Sequence, residues 1–176
     1  VLVVMHQMGS HGPAYFKRTP PAFKRFMPEC STNVLQDCGA EQLTNAYDNT
    51  IAYTDHFLAA GIAWLRQREA LNHTAMIYVS DHGESLGENN LYLHGLPYAI
   101  APDVQKRVPW ITWLSPGFAQ QQGLDLAGLK ADARYIVFHC ADSLGGGGPN
   151  GRYYESIDLI DAYPRLTAAP NVVFLT

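Results

Sequence analysis

Asp81 and His82 follow one another directly after an apolar run, Ala75 to Ser80 (AMIYVS), that reads as a buried strand. A carboxylate and an imidazole at a strand tip can turn toward one cation, and zinc accepts that mixture of oxygen and nitrogen ligands. An N-cap aspartate beside a surface histidine would look the same, so the dipeptide alone carries little. Its company carries more: His6 closes another apolar run, His11 lies in GSHGP and His94 lies in YLHG. Histidines that fill a core are not expected to gather beside glycines, which let backbone approach a ligand. The pattern points to a metal or phosphate site.

The elements that must hold these groups read as alternating strands and helices. Val1 to His6 (VLVVMH) is β-branched, as expected of a buried parallel strand. Residues 7 to 39 are turn-rich. From Glu41, the residues Leu43, Tyr47, Ile51, Leu58, Ile62 and Leu65 recur at three, four or seven, one helical face running to about Arg68. Ala75 to Ser80 is the second strand, Pro109 to Leu114 (PWITWL) the third, and Leu124 to Ala133 a short helix. Strand, long helix, strand is a crossover unit. The expectation is therefore an α/β fold with a parallel sheet flanked by helices on both faces, its ligands at strand ends. Gly145 to Gly148, extended by Pro149-Asn150-Gly151, can only be loop.

Cys30 and Cys38 lie in a polar loop (PECSTNVLQDCGA) without a CxxC spacing or a nearby histidine. That context suits a local disulfide, and so an oxidising compartment, better than a metal site, with two free thiols in a reducing compartment as the other possibility. Cys140, after YIVFH, reads as a small buried apolar residue.

Composition excludes several classes. The chain has 176 residues, 12 basic and 16 acidic side chains and a formal net charge of −4. Nucleic acid as a partner is not expected, because phosphate neutralisation needs a basic surface. Disorder is excluded by 47% hydrophobic and 11% aromatic residues. The longest apolar candidate, Phe57 to Leu65, is about half of the 18 to 20 residues that a membrane span needs. Val1 opens directly into an apolar run with no basic leader, so the chain reads as a piece of a longer protein.

Three segments, HQMGSHGPAYFKR at 6–18, AYDNTIAYTD at 46–55 and SDHGESLGENNLYLHGLPYAIAP at 80–102, closely resemble the lipid A phosphoethanolamine transferases. These belong to the alkaline phosphatase and sulfatase superfamily and include the enzymes behind transferable polymyxin (colistin) resistance. The resemblance is strong over residues 1–116 and diverges over 117–176, where ARYIVFHCADSL stands in place of a Ser-His-Asp-Asn helix start. It implies an alkaline phosphatase-like fold, with residues 1–176 forming the C-terminal part of a soluble catalytic domain.

The resemblance further implies a mechanism. A zinc-bound threonine attacks the phosphate of phosphatidylethanolamine, holds the phosphoethanolamine covalently, and passes it to a phosphate of lipid A. Asp81 and His82 match two of the four zinc ligands. His11 and His94 match histidines near the transferring group, as donors to its oxygens or ligands to a further zinc. Glu84 is a contact to that second metal or to the substrate amine, and His6 matches with a direct or supporting role. Cys30 and Cys38 fall on a family disulfide. The protein is expected at the periplasmic face of the Gram-negative inner membrane, as a monomer, reaching the membrane surface through an N-terminal anchor upstream of Val1.

The other two zinc ligands, a glutamate and the nucleophilic threonine, have no counterpart in the matching segments. The chain by itself is therefore expected to be inactive. APNVVFLT at 169–176 resembles the strand that introduces that missing half. A related phosphatase or sulfatase hydrolase, or a non-catalytic lipopolysaccharide-binding module, are the alternatives.

Overall fold

A computed structural model describes residues 1–125 and, for the backbone, 172–175. It divides into two compact units, Val1–His56 with Glu84–Leu93, and Phe57–Gly83 with His94–Thr176. The long helix α1, Ala40–Arg66, contributes its first part to one unit and its last turns to the other.

In the first unit regular structure is sparse. Residues 1–8 form no strand, and Val1, Leu2, Val3, Val4 and Met5 are all exposed. The strand expected there is thus not formed, because a β-branched run makes a strand only where another strand pairs with it. Three single 3-10 turns, Tyr15–Lys17, Pro21–Phe23 and Leu35–Asp37, carry the chain to α1, in keeping with the turn-rich reading of this segment. Cys30 and Cys38 are joined in a disulfide. They sit in a small core of Tyr15, Cys30, Leu35, Leu43 and Ala46, against which Tyr47, Tyr92 and Leu93 pack. α1 starts where Gln42 reaches back, its Oε1 accepting from the Gly39 N–H at 3.1 Å, half of a capping box.

The buried side of α1 departs from an apolar stripe. Leu43, Ala46, Leu58 and Ile62 are buried as the spacing implies, but so are Asn49, Thr50, Thr54 and Asp55. Burying polar groups is tolerated only when they are hydrogen-bonded. Asn49 meets that condition: its Oδ1 accepts from the backbone N–H groups of Arg25 (2.7 Å) and Phe26 (2.9 Å). Its Nδ2 donates to the Phe26 carbonyl (3.0 Å) and to Glu29 Oε2 (3.1 Å). Thr50 Oγ1 lies 2.6 Å from the Tyr47 carbonyl and 2.7 Å from Ser10 Oγ, tying the GSHG loop to the helix. The unit also contains a two-stranded hairpin, β2 (Ser85–Leu86) and β3 (Tyr92–Leu93), closed through left-handed Gly87, Asn89 and Asn90.

The second unit holds a three-stranded sheet. β1 (Ala75–Val79) pairs with β4 (Trp110–Leu114), and β4 with β5 (Val172–Leu175). Both pairings are antiparallel, with Ala75 opposite Leu114 and Val79 opposite Trp110. The expected parallel pairing is thus corrected for the described strands. With residues 1–8 outside any strand, α1 is not a crossover between two described strands. Besides the β2–β3 hairpin, the β1–β4 connection carries only one α-helix, the four-residue α2, Asp103–Lys106, far short of the crossover helix a parallel pair requires. Among the described strands β1 lies at the sheet edge, and it is only half-buried: Ile77 is 61% exposed and Val79 42%. The central strand β4 buries Ile111, Trp113 and Leu114. Ser115 then caps α3 (Pro116–Gln121), its Oγ accepting from Phe118 N–H (3.2 Å) and from Thr74 N–H (3.0 Å), which pins the start of β1. No helix among the described residues is long and apolar enough to cross a membrane. The expected helix at 124–133, Cys140 and the glycine run fall outside the described residues, apart from Leu124 and Asp125, which are in no element.

Candidate functional site

Asp81 and His82 leave the end of β1 as the sequence implies, and the turn is held from behind. Gly83 N–H donates to the Gln105 carbonyl at 3.0 Å, and a Cβ on Gly83 would overlap the Val104 carbonyl oxygen. Glycine is required here by close approach of two backbones. The Asp81 side chain is 62% exposed and that of His82 24%.

The His82 ring is oriented. Its Nδ1 lies 3.0 Å from the Gly83 carbonyl oxygen, which can only accept, so Nδ1 carries the proton and Nε2 keeps its lone pair. That Nε2 stands 3.8 Å from Asp81 Oδ1. Two ligand atoms on a tetrahedral zinc stand about 3.3 Å apart, so small side-chain rotations bring both to one ion. The donor chemistry fits zinc: one carboxylate oxygen and one imidazole nitrogen in the tautomer a ligand needs. The His94 ring stacks on His82, centroids 3.6 Å apart. His94 follows Leu93, which has positive φ, and precedes Gly95, also left-handed. The chain there makes the sharp turn that presents an imidazole beside another.

In the first unit, His11 repeats the arrangement of His82. Its Nδ1 is 2.7 Å from the carbonyl of the next residue, Gly12, again leaving Nε2 unprotonated in the neutral ring. Neutral His11 is thus a ligand or proton acceptor at Nε2 and donates there only as imidazolium. Its carbonyl accepts from Arg18 Nε at 3.1 Å, which fixes the backbone. Gly12 N–H donates to Glu84 Oε1 at 3.1 Å, and a Cβ on Gly12 would press on Leu93 and Tyr15.

Glu84, read from the sequence as a metal or substrate contact, is buried and has one oxygen committed to the His11–Gly12 turn. Beside it, Tyr15 has its phenol pKa pushed well up, first by burial and then by the negative charge of Glu84. His6 is exposed in a segment without regular structure, not at the end of a strand. The residues the sequence did not single out are the supporting ones: Tyr15, Ser10, Thr50 and Gln105. Their trace in the sequence is the glycine next to His11, His82 and His94, which marks where neighbouring groups come close.

Residues 1–144 match the sulfatase family, and the chain belongs to that family. It is 45% identical over 161 residues to the phosphoethanolamine transferase EptA of Salmonella typhimurium, covering 89% of this chain and 29% of that protein. Over 113 residues it is 54% identical to the phosphatidylethanolamine transferase Mcr-2 of Escherichia coli, covering 64% of this chain and 21% of that protein. The soluble domain of lipooligosaccharide phosphoethanolamine transferase A from Neisseria meningitidis superposes with a TM-score of 0.69 at 47% identity, over 72% of this chain and 37% of that one. The alkaline phosphatase-like class implied by the sequence is therefore the fold of this chain. The chain spans less than a third of the length of the curated relatives it matches.

Proposed function

We propose that the chain is part of a zinc-dependent enzyme that moves phosphoethanolamine from phosphatidylethanolamine to a lipid A phosphate on the periplasmic face of the inner membrane. The product carries less negative charge, so the cell resists cationic polymyxins. The observation that carries this reading is the His82 tautomer beside Asp81, in a chain 45% identical to a transferase of that name. Asp81 and His82 would hold zinc, which when bound neutralises phosphoryl charge and lowers the pKa of an attacking hydroxyl. His94, stacked on His82, and His11, through its Nε2, act on the phosphoryl oxygens or on the proton of the incoming group. Glu84 holds the His11 turn. The nucleophilic threonine of the resembling enzymes has no counterpart here, so the 176-residue chain alone moves no phosphoethanolamine.

The test is transfer from a fluorescent phosphatidylethanolamine to lipid A by the full-length protein. Asp81→Asn and His82→Ala abolish both transfer and zinc content, whereas His11→Ala and His94→Ala cut turnover and keep zinc. Because the family also contains hydrolases, release of phosphoethanolamine to water at the same rate with and without lipid A would replace a transferase by a phosphatase. Lipopolysaccharide binding with neither activity nor zinc would leave a binding module.

A further inference from the structure

Charge is distributed unevenly along the first unit. Residues 1–28 contain Lys17, Arg18, Lys24 and Arg25 and no Asp or Glu, in a chain whose formal net charge is −4. Two of the four cations are turned to the fold. Arg18 Nε donates to the His11 carbonyl, while Lys24 pairs with Glu29 and donates to the Phe16 carbonyl at 2.9 Å. The other two, Lys17 and Arg25, are exposed. Lys17 Nζ lies 5.4 Å over the Phe16 ring, and Arg25 is followed by Phe26 and Met27, 41% and 63% exposed.

Exposed apolar side chains in a loose loop could turn inward. These are held in place: fully buried Asn49 takes the N–H groups of Arg25 and Phe26 on its Oδ1 and donates to the Phe26 carbonyl. The unusual cost of burying an amide in α1 thus fixes the backbone that presents a cation, an aromatic ring and a thioether in consecutive residues. Basic side chains interleaved with exposed Phe and Met are the composition of a surface that sits at an anionic lipid interface.

We propose that Lys17, Arg25, Phe26 and Met27 form a contact surface for an anionic lipid bilayer, the cations meeting lipid phosphates and the apolar pair entering the headgroup region. The choice of a lipid surface rests on the transferase reading, whose substrates are lipids. The binding itself needs neither zinc nor turnover, so the two can fail separately. The test is co-sedimentation of the 176-residue chain, in chelator, with vesicles of phosphatidylcholine alone or mixed with phosphatidylglycerol. Binding is expected only to the mixed vesicles and should weaken as salt rises. Lys17→Gln with Arg25→Gln should weaken it roughly thirty-fold, from about five- to six-fold per cation near a charged membrane. Phe26→Ser with Met27→Ser should weaken it while leaving the salt dependence. Circular dichroism checks each variant; if a double variant unfolds, Arg25→Gln alone decides. Equal binding to both vesicles, or unchanged binding by the folded variants, overturns the proposal. So does full competition by heparin with no effect of the Phe26 and Met27 changes, which would make the patch a general polyanion site.

Discussion

The two units hold their histidines by different means. In the first, His11 sits in a stretch with almost no regular structure, and side chains do the holding: the Cys30–Cys38 disulfide, the Asn49 amide and the buried Glu84 carboxylate. In the second, Asp81 and His82 follow β1, and backbone does the holding: the β1–β4 ladder and the close approach of Gly83 to Val104 and Gln105. The difference teaches where each site is vulnerable. Side-chain cross-links fail one bond at a time. Backbone contacts fail by displacement, because no side chain can yield to relieve the overlap.

The sharpest test of that contrast is Gly83→Ala. The added methyl meets the Val104 carbonyl, so the turn must move, and unfolding in urea should show a loss of more than about 3 kcal/mol. Metal binding at Asp81 and His82 should fall with it, and a variant of unchanged stability would break the backbone half of the comparison. In the first unit, Asn49→Ala leaves two N–H groups and a carbonyl without their partner, and should cost about 3 kcal/mol by the same measurement. Cys30→Ser with Cys38→Ser opens a loop of eight residues' separation and should cost about 2.5 kcal/mol. Reductant should reproduce that loss in the parent chain and leave the double variant unaffected.

A pH titration of stability reads both units together. Tyr78 is pushed up to about 12, mainly by burial and then by Asp81, and Tyr15 higher still, against an ordinary value of 10.0. Raised pKa values mean that the unfolded chain loses these protons first. Stability should therefore be insensitive to these groups below pH 10 and fall between pH 10 and 12, by up to about 1.4 kcal/mol per pH unit for each tyrosine. Tyr15→Phe and Tyr78→Phe should each flatten the slope. The smallest effect is a gain. Gly61 lies inside α1, and a methyl there meets only Met76 Sδ at 3.8 Å, so Gly61→Ala should stabilise by about 0.5 to 1 kcal/mol in thermal unfolding.

Local features were legible because they depend on near neighbours. The helix was readable from Leu43, Leu58 and Ile62, and the strands at 75–79 and 110–114 from short apolar runs. The polar turns of α1 were not, since Asn49 and Thr50 are buried by groups twenty-three and forty positions away, Phe26 and Ser10. Strand direction failed for a related reason. An apolar run states that a strand is buried or paired, but not which strand pairs with it, and β4 turned out to lie antiparallel to β1.

By itself the sequence determined the chemistry available: a carboxylate beside an imidazole, His11 and His94 each next to a glycine, and two cysteines within loop-closing distance. Residue identity carries the ligand types, and glycine carries permission for close approach. Only the tertiary structure decided how those groups are aimed. The Gly83 and Gly12 carbonyls set the tautomers of His82 and His11, Gln105 anchors the turn, and Glu84 is committed to the Gly12 N–H. A hydrogen bond between residues 72 positions apart leaves no local mark in the sequence, because it exists only once the chain has folded.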